Sequence, residues 1–389
     1  MSLLSRLPFP REGSFSSRLR SAAVAARVGL WLGICFGVAF ATGLISHYAQ
    51  LDHQPVPFPT HPAWGYRVTQ GLHVVAGTAA VPLLLVKLWV VYPKLFAAPP
   101  RRLGELVRTG LERGSIAVLV AASILELGIG LMNVAQWYAW DFSFRRTHDA
   151  LAFVVIGALL VHIAVKLPLI RQVLGGDVED AAADRPSAVR PGAIGRRGLL
   201  RGTWVAAVAA VVAGSATTGT IPGLDRLAVL SPRSRRAGIP VNRTAAQAGV
   251  VATATSASYR CEIEYGDTSV RLTRADLLAL PQATHVLPIA CVEGWSANGT
   301  WSGVPLRTLL DHVGAPRDRD LRISSLQQHT AESVTVLPAD FADDERTLLA
   351  LLLDGEPLAL DHGYPARLIA PDRPGSLQTK WIARIEVLG

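Results

Sequence analysis

The sequence predicts a multidomain membrane protein: an all-α transmembrane bundle of four helices plus a fifth anchor helix, followed by a soluble α+β domain. Three observations predict it. Five apolar runs, near residues 28–48, 68–92, 114–138, 149–170 and 203–222, are each long enough to cross a bilayer. Half of the 389 residues are hydrophobic, which suits a membrane protein better than a soluble one. After residue 222 the long runs stop, and short strand-like and helix-like pieces bounded by turn clusters replace them.

The cations order these elements. Residues 1–27 carry Arg6, Arg11, Arg18, Arg20 and Arg27. The connection between runs two and three carries Lys94, Arg101, Arg102, Arg108 and Arg113. Arg171, Arg185, Arg190, Arg196, Arg197 and Arg201 lie between runs four and five. The intervening loops, 49–67 and 139–148, are poorer in cations and rich in Pro, Trp and Tyr. The positive-inside rule then makes 1–27 a cytoplasmic segment, 28–172 the four-helix domain, 173–201 a cytoplasmic linker, 202–222 the anchor and 223–389 an extracytoplasmic domain. The expected location is the cell (inner or plasma) membrane. Lys87 and Lys166, near the ends of their runs, are placed to snorkel. The net charge of +8 does not indicate nucleic-acid binding, because the arginines flank apolar runs instead of forming an independent basic patch. In the last domain "YRCEIEY", "THVLPIAC", "LRISSL" and "ARIEVLG" read as strands, and "TRADLLAL" and "PLRTLLDHV" as helices.

Histidines in the apolar runs are the first candidates for chemistry. His148 and His162 are fourteen residues apart on the fourth span, nearly on one helix face and ~21 Å apart in depth. His73 on the second span matches the depth of His148, so the two can ligate one heme from both faces. The plain alternative is that these are polar residues bonded to backbone or water. Several ionisable groups at matching depth favour function. Glu126, in the middle of the third run, has two open readings: it bonds a facing polar group and holds the bundle, or it relays protons or contacts a quinone.

Two further stretches need explanation. "GRRGLLRGTWVAAVAAVVAG", residues 195–214, looks like an export signal at mid-chain; ordinary positive flanking of a span is the other reading. "ACVEGWSANGTWSGVPLRTLL", residues 290–310, ends a strand at Cys291, continues through a turn with Gly294 and Gly299, and starts a helix near Pro305. A thiol at a strand end is a metal ligand, a nucleophile, a buried free cysteine or the partner of Cys261 in a disulfide. The third cysteine, Cys35, lies inside an apolar run and reads as a small core residue.

Resemblance narrows these alternatives. Residues 25–172 resemble the four-helix cytochrome b subunits of formate dehydrogenases and nickel hydrogenases, which implies heme b, one or two per chain. His73 and His148 then match the outer ligand pair. The inner site retains His162, while Leu30 in "RVGLWLG" stands where that family has a histidine. His47, at the other end of the span and ~25 Å from Leu30, is no substitute there but competes for the outer heme.

Residues 240–389 resemble the molybdopterin domain of the sulfite oxidase superfamily. The Cys-Val-Glu-Gly-Trp form is similar to that of its periplasmic methionine sulfoxide reductases. The likeness implies an α+β fold, a molybdenum-ligating catalytic Cys291, and pterin and phosphate contacts in "LDHGYPARLIAPDRPGSLQTKWIARIEV" at His362, Arg367 and Lys380, with Gly363 and Trp381 completing the pattern. Asn242 in "PVNRTAAQ" matches an early pterin contact. Sulfite oxidases carry arginines directly after the cysteine; here Val292, Glu293, Gly294 and Trp295 follow, which leans towards a reductase of S-oxides or N-oxides. The sequence ends at Gly389, and no immunoglobulin-like dimerisation domain is expected after it.

A domain that folds around a cytoplasmically assembled cofactor has to cross the membrane folded, and Arg196 and Arg197 resemble the pair of the twin-arginine route that carries such domains. No small-residue cleavage site follows, so the fifth span is expected to stay as an anchor. Together these likenesses imply a membrane-bound molybdopterin oxidoreductase. A quinol or other membrane donor would feed electrons through b heme to molybdenum. A sulfite-type oxidase with inward electron flow and a non-enzymatic heme b electron carrier are the alternatives.

Overall fold

The computed structural model describes residues 10–51, 54–56, 58–219, 221, 223–224, 238–328, 330 and 333–389. The first nine residues of the expected N-terminal segment 1–27 and the stretch 225–237 after the fifth span lie outside the described residues. By internal contact the chain divides into two compact units: Met1–Ala41 with Leu72–Ser215, and Thr42–Gly71 with Ala216–Gly389.

Five helices are long and apolar enough to cross a membrane: α1 (Ala22–Ala49), α2 (Gly65–Val91), α3 (Leu103–Val134), α4 (Phe144–Gly175) and α5 (Arg196–Thr218). In the first unit Val28, Leu32 and Phe36, one helical turn apart on α1, pack in a single cluster with Leu83 and Leu84 of α2 and Val155 of α4. The start of α3 differs most from the sequence expectation, 103 against 114. Glu105, Arg108, Glu112 and Arg113 lower the local hydropathy, yet Leu, Glu and Arg are strong helix formers, so the helix runs on past its apolar part. The start of α4 is set by Ser143, whose hydroxyl accepts the Arg146 N–H at 3.4 Å.

The second unit holds two five-stranded sheets. Its short helices are α6 (Val251–Ala254), α7 (Arg274–Ala279), α8 (Leu306–His312) and α9 (Ala339–Ala342). Its strands are β1 (Cys261–Tyr265), β2 (Thr268–Leu272), β3 (Ala283–Ala290), β4 (Ser296–Pro305), β5 (Leu321–Ser325), β6 (Val334–Leu337), β7 (Leu348–Leu353), β8 (Glu356–Pro357), β9 (Arg367–Ile369) and β10 (Ile382–Val387). One sheet has the order β2-β1-β10-β5-β6, with β1 and β10 parallel; the other runs β3-β4-β7-β8, with β9 on β7. Each strand-like and helix-like piece named from the sequence falls on one of these elements.

Local signals explain several of them. Thr273 and Asp276 cap α7 reciprocally, at 3.0 and 2.8 Å. Leu306, Leu309 and Leu310 bury one face of α8. Strand β7, "LLALLL", is inside the sheet and nearly wholly buried. One expectation is corrected: Gly299 is inside β4, opposite Leu287, and not in the turn, because the chain has already reversed by Trp295.

Residues 42–71 belong to the core of this second unit. Phe58 and Tyr66 are buried with Leu309, Phe341 and Leu368. The Tyr66 hydroxyl bonds that of Ser46 at 2.8 Å, and its backbone N–H donates to the Asp372 carboxylate.

Candidate functional site

The loop between β3 and β4 is built around Cys291. The strands pair up to Ala290↔Ser296, so Cys291–Trp295 is the hairpin loop. Cys291 N–H donates to Trp295 O at 2.8 Å, and Gly294 N–H donates to Cys291 O at 2.9 Å. Gly294 closes this loop at φ +85°, a left-handed conformation that a residue with Cβ adopts at a penalty. Glu293 and Trp295 lock each other through an indole-to-carboxylate bond of 3.0 Å. The loop thereby holds Cys291, 2 % exposed, against a cleft. Cys291 and Cys261 are not joined in a disulfide. Cys261 is in β1, and burial pushes its thiol up to about 12, so it is inert at neutral pH.

The other walls of the cleft come from three separate stretches. Asn242, Cys291, His362, Arg367 and Lys380 all line it, together with Ile239, Trp295, Asp361 and Gly375. The sequence-predicted residues of this unit are thus brought together, including Asn242, the weakest of the matches. His362 is tied by Nε2 to Ile239 O at 2.8 Å, and burial lowers its pKa. Gly363, at φ +109°, lets the chain turn between the two cations: a Cβ there would stand 3.0 Å from Arg367 Cβ and 3.2 Å from Lys380 Cβ.

The charge balance of this cleft is its main chemical feature. Arg367, 5 % exposed, donates to the carbonyls of His362 (3.0 Å) and Gln378 (3.1 Å), while its Nε is buried with no hydrogen-bond partner. Burial lowers its pKa to about 9. Lys380 Nζ donates to Asn242 Oδ1 (3.3 Å), Arg243 O (2.5 Å) and Asp361 O (3.1 Å). Burial, with Arg367 beside it, lowers its pKa to about 7. Every acceptor named for these cations is uncharged. The Asp361 carboxylate is engaged with Ala245 N–H at 2.8 Å. A buried guanidinium and a half-buried ammonium, neither hydrogen-bonded to a carboxylate, suit an anionic ligand, the first by forking onto phosphate oxygens and the second as a point charge. A thiol beside them suits a soft or redox-active metal. The donor set therefore fits a metal-carrying, phosphate-bearing cofactor.

Sequence reasoning did not find the framing residues Ile239 and Gly375, which carry no chemical signal, nor the role of Glu293 in fixing Trp295. The pattern Glu-x-Trp was visible there, but its pairing depends on the Gly294 turn.

Of the histidines predicted in the apolar helices, His73, His148 and His162 lie in the first unit and His47 in the second. The His73 and His148 rings are 6.0 Å apart at 70°. His73 Nδ1 donates to Ala39 O at 2.9 Å, and His148 Nδ1 lies 3.2 Å from Glu126 Oε1. His162 is on α4, half-buried, in a field set by Lys87, Lys166, Lys94 and Glu112. His47 is exposed near the end of α1.

The cleft and the two sheets lie in the part of the chain that is similar to known molybdopterin-binding domains: residues 248–389 match the oxidoreductase molybdopterin binding domain family. Among curated proteins, a putative protein-methionine-sulfoxide reductase subunit of Azospira oryzae is 37 % identical over 134 residues, 34 % of this chain and 50 % of that protein. The protein-methionine-sulfoxide reductase catalytic subunit of Gluconobacter oxydans is 32 % identical over 134 residues, 31 % of this chain and 43 % of that protein. The mitochondrial sulfite oxidase of Drosophila melanogaster is 30 % identical over 154 residues, 33 % of this chain and 27 % of that protein. The chain spans half or less of the length of these three relatives.

Proposed function

We propose that this chain is a membrane-bound molybdopterin-dependent oxidoreductase that takes electrons from a quinol or other membrane donor through heme b and reduces an S-oxide or N-oxide. One observation carries the proposal: Asn242, Cys291, His362, Arg367 and Lys380 line a single cleft in which neither cation has a carboxylate as a hydrogen-bond partner. The names of two relatives, both protein-methionine-sulfoxide reductase subunits, support the S-oxide class. Val292–Trp295 in place of an arginine-rich segment favours reduction over sulfite-type oxidation.

When bound, the molybdenum cofactor supplies two-electron oxygen-atom transfer. The chain's own residues do the rest. Cys291 offers one thiolate bond to the metal, Arg367 and Lys380 neutralise the cofactor's anionic groups, and Asn242 and His362 orient it. The reaction consumes two electrons and two protons and releases the reduced substrate and water. In the helices, His73 and His148 are the proposed ligands of one heme b: their rings are close, His73 Nδ1 is bonded to a carbonyl as in a metal-binding imidazole, and His148 Nδ1 lies 3.2 Å from Glu126 Oε1. His162 is the residual ligand of a second site. The cation distribution supports a cytoplasmic N-terminus, an extracytoplasmic second unit and twin-arginine delivery of that unit.

Metal and heme analysis of the purified chain tests the proposal. The expected result is about one molybdenum per chain, lost in Cys291→Ser, and a dithionite-reduced b-type spectrum, lost or diminished in His148→Ala. With a reduced dye, S-oxides or N-oxides should be turned over. A heme-loaded protein without molybdenum would instead be an electron carrier, and sulfite oxidation without S-oxide reduction would reverse the direction.

A further inference from the structure

We propose that Glu126 is the positioning residue for His148: its carboxylate stands 3.2 Å from the imidazole Nδ1, accepts that N–H when the ring ligates iron, and so sets the electronic character of the heme that His148 is read to ligate. The inference rests on the heme reading above and adds a residue outside its ligand set.

Glu126 is 7 % exposed in the apolar middle of α3. A carboxylate at such a place is expensive and is retained where it has a partner. Its Oε1 is 3.2 Å from His148 Nδ1 on α4, the helix against which α3 packs. Its other oxygen, Oε2, is buried with no hydrogen-bond partner, and so is His148 Nδ1: the carboxylate and the imidazole stand within reach with the bond between them not made, and a small rotation of the ring makes it. Gly130, one turn further along α3, faces the same ring: a Cβ there would lie 3.4 Å from His148 Cε1. The α3 surface thus brackets the imidazole with a carboxylate on one side and a gap-free small residue on the other.

The two histidines are held differently. His73 Nδ1 is hydrogen-bonded to a backbone carbonyl, whereas His148 Nδ1 stands 3.2 Å from a carboxylate with the bond not in place. Either acceptor at Nδ1 leaves Nε2 for iron, but a carboxylate bonded there makes the imidazole the stronger electron donor. A more basic ligand favours the oxidised iron. A merely structural polar contact across the bundle would be served as well by glutamine; the electronic role would not.

The test uses the full chain in detergent, with Glu126→Gln compared with wild type. Heme per chain is counted by pyridine hemochrome, and the midpoint potential and the ferric low-spin EPR spectrum are recorded. The expected result is near-complete heme retention, a midpoint potential higher than wild type and shifted g-values, with Glu126→Asp moving both back towards wild type. Glu126→Gln protein with wild-type potential and g-values overturns the inference while leaving the heme reading intact. Wild-type protein without heme overturns both. Should Glu126→Gln not fold, wild-type protein labelled with ¹³C-glutamate carries the test: reduction of the heme should shift a carboxylate band in the infrared difference spectrum, and no such band overturns the inference.

Discussion

Arg196 and Arg197 are adjacent, yet a substitution at each should have a very different effect. Arg196, 2 % exposed, donates to Arg18 O (3.1 Å), Val178 O (3.0 Å) and Asp180 O (2.8 Å), and pairs with the buried Asp184 carboxylate. Arg197 is mostly exposed and meets only Asp177, at 2.7 Å. Removing one partner of a buried ion pair costs about 3–5 kcal/mol, because the remaining charge is left uncompensated. An exposed pair is worth about 0–1 kcal/mol. Arg196→Ala should therefore open the segment from Asp177 to Asp184. At 1.36 kcal/mol per factor of ten, amide protection there should fall by roughly 10²- to 10³-fold in hydrogen exchange of the solubilised protein. Arg197→Ala should change it less than about tenfold. Arg196→Lys should restore little, since an ammonium cannot fork onto four acceptors. Equal effects at the two positions, or wild-type protection in Arg196→Lys, would refute the reasoning. A twin-arginine signal gives another pattern, in which substitution of either arginine stops delivery of the second unit. Export assays on the same variants separate the two roles.

Three other outcomes follow from the second unit. Cys291→Ser should abolish molybdenum retention, whereas Cys261→Ser should retain the metal and lose about 1–3 kcal/mol of stability from a buried hydroxyl; metal analysis and thermal unfolding read the pair. For Lys380, whose pKa is lowered from 10.5 to about 7, the unfolded chain binds a proton between those values that the folded, cofactor-free chain does not. Stability of the cofactor-free protein should therefore rise with pH from 7 towards 10.5 and be lost as pH falls through 7. The ceiling is about 5 kcal/mol, reduced by the three oxygens around Nζ, and melting between pH 7 and 9.5 should show a flatter slope in Lys380→Met. Asp372→Ala should cost about 1–2 kcal/mol by leaving the first turn of α2 without its acceptor, and Asp372→Asn should be nearly neutral because it keeps an oxygen there; burial already raises Asp372 to about 6.

What the sequence discloses here is what local pattern can carry. Apolar run length marks all five long helices, because a bilayer core imposes it, and the Cys291 and His362–Lys380 stretches are legible because close packing around a cofactor restricts residue types. Contacts between distant segments are not legible. Tyr66 bonds to Asp372, 306 positions away, and nothing in the Pro- and Trp-rich loop before it signals membership of the C-terminal core. Arg196 reads as one more flanking cation because three of its four acceptors are backbone carbonyls, which every residue offers. Glu126 and His148 each stand out as polar groups in apolar runs, but that they meet depends on the rotation of α3 against α4. The early start of α3 is lost for the opposite reason: a hydropathy window sees the charges of residues 103–113 and not their helix propensity.

Arg196 and Arg367 show how one residue type separates into two meanings. Both are almost fully buried, and both bond backbone carbonyls. Arg196 meets a buried carboxylate, so its charge is matched within the fold and its work is structural. Arg367 has carbonyls alone, leaves Nε without a partner, and has a second cation for a neighbour. Two desolvated positive charges side by side oppose folding unless something negative joins them. On the reading proposed above, this arrangement next to a thiol at a strand end takes a ligand that brings its own negative charge and a metal. Composition cannot distinguish the two arginines, and burial alone cannot either; the carboxylate bonded to one and not to the other does.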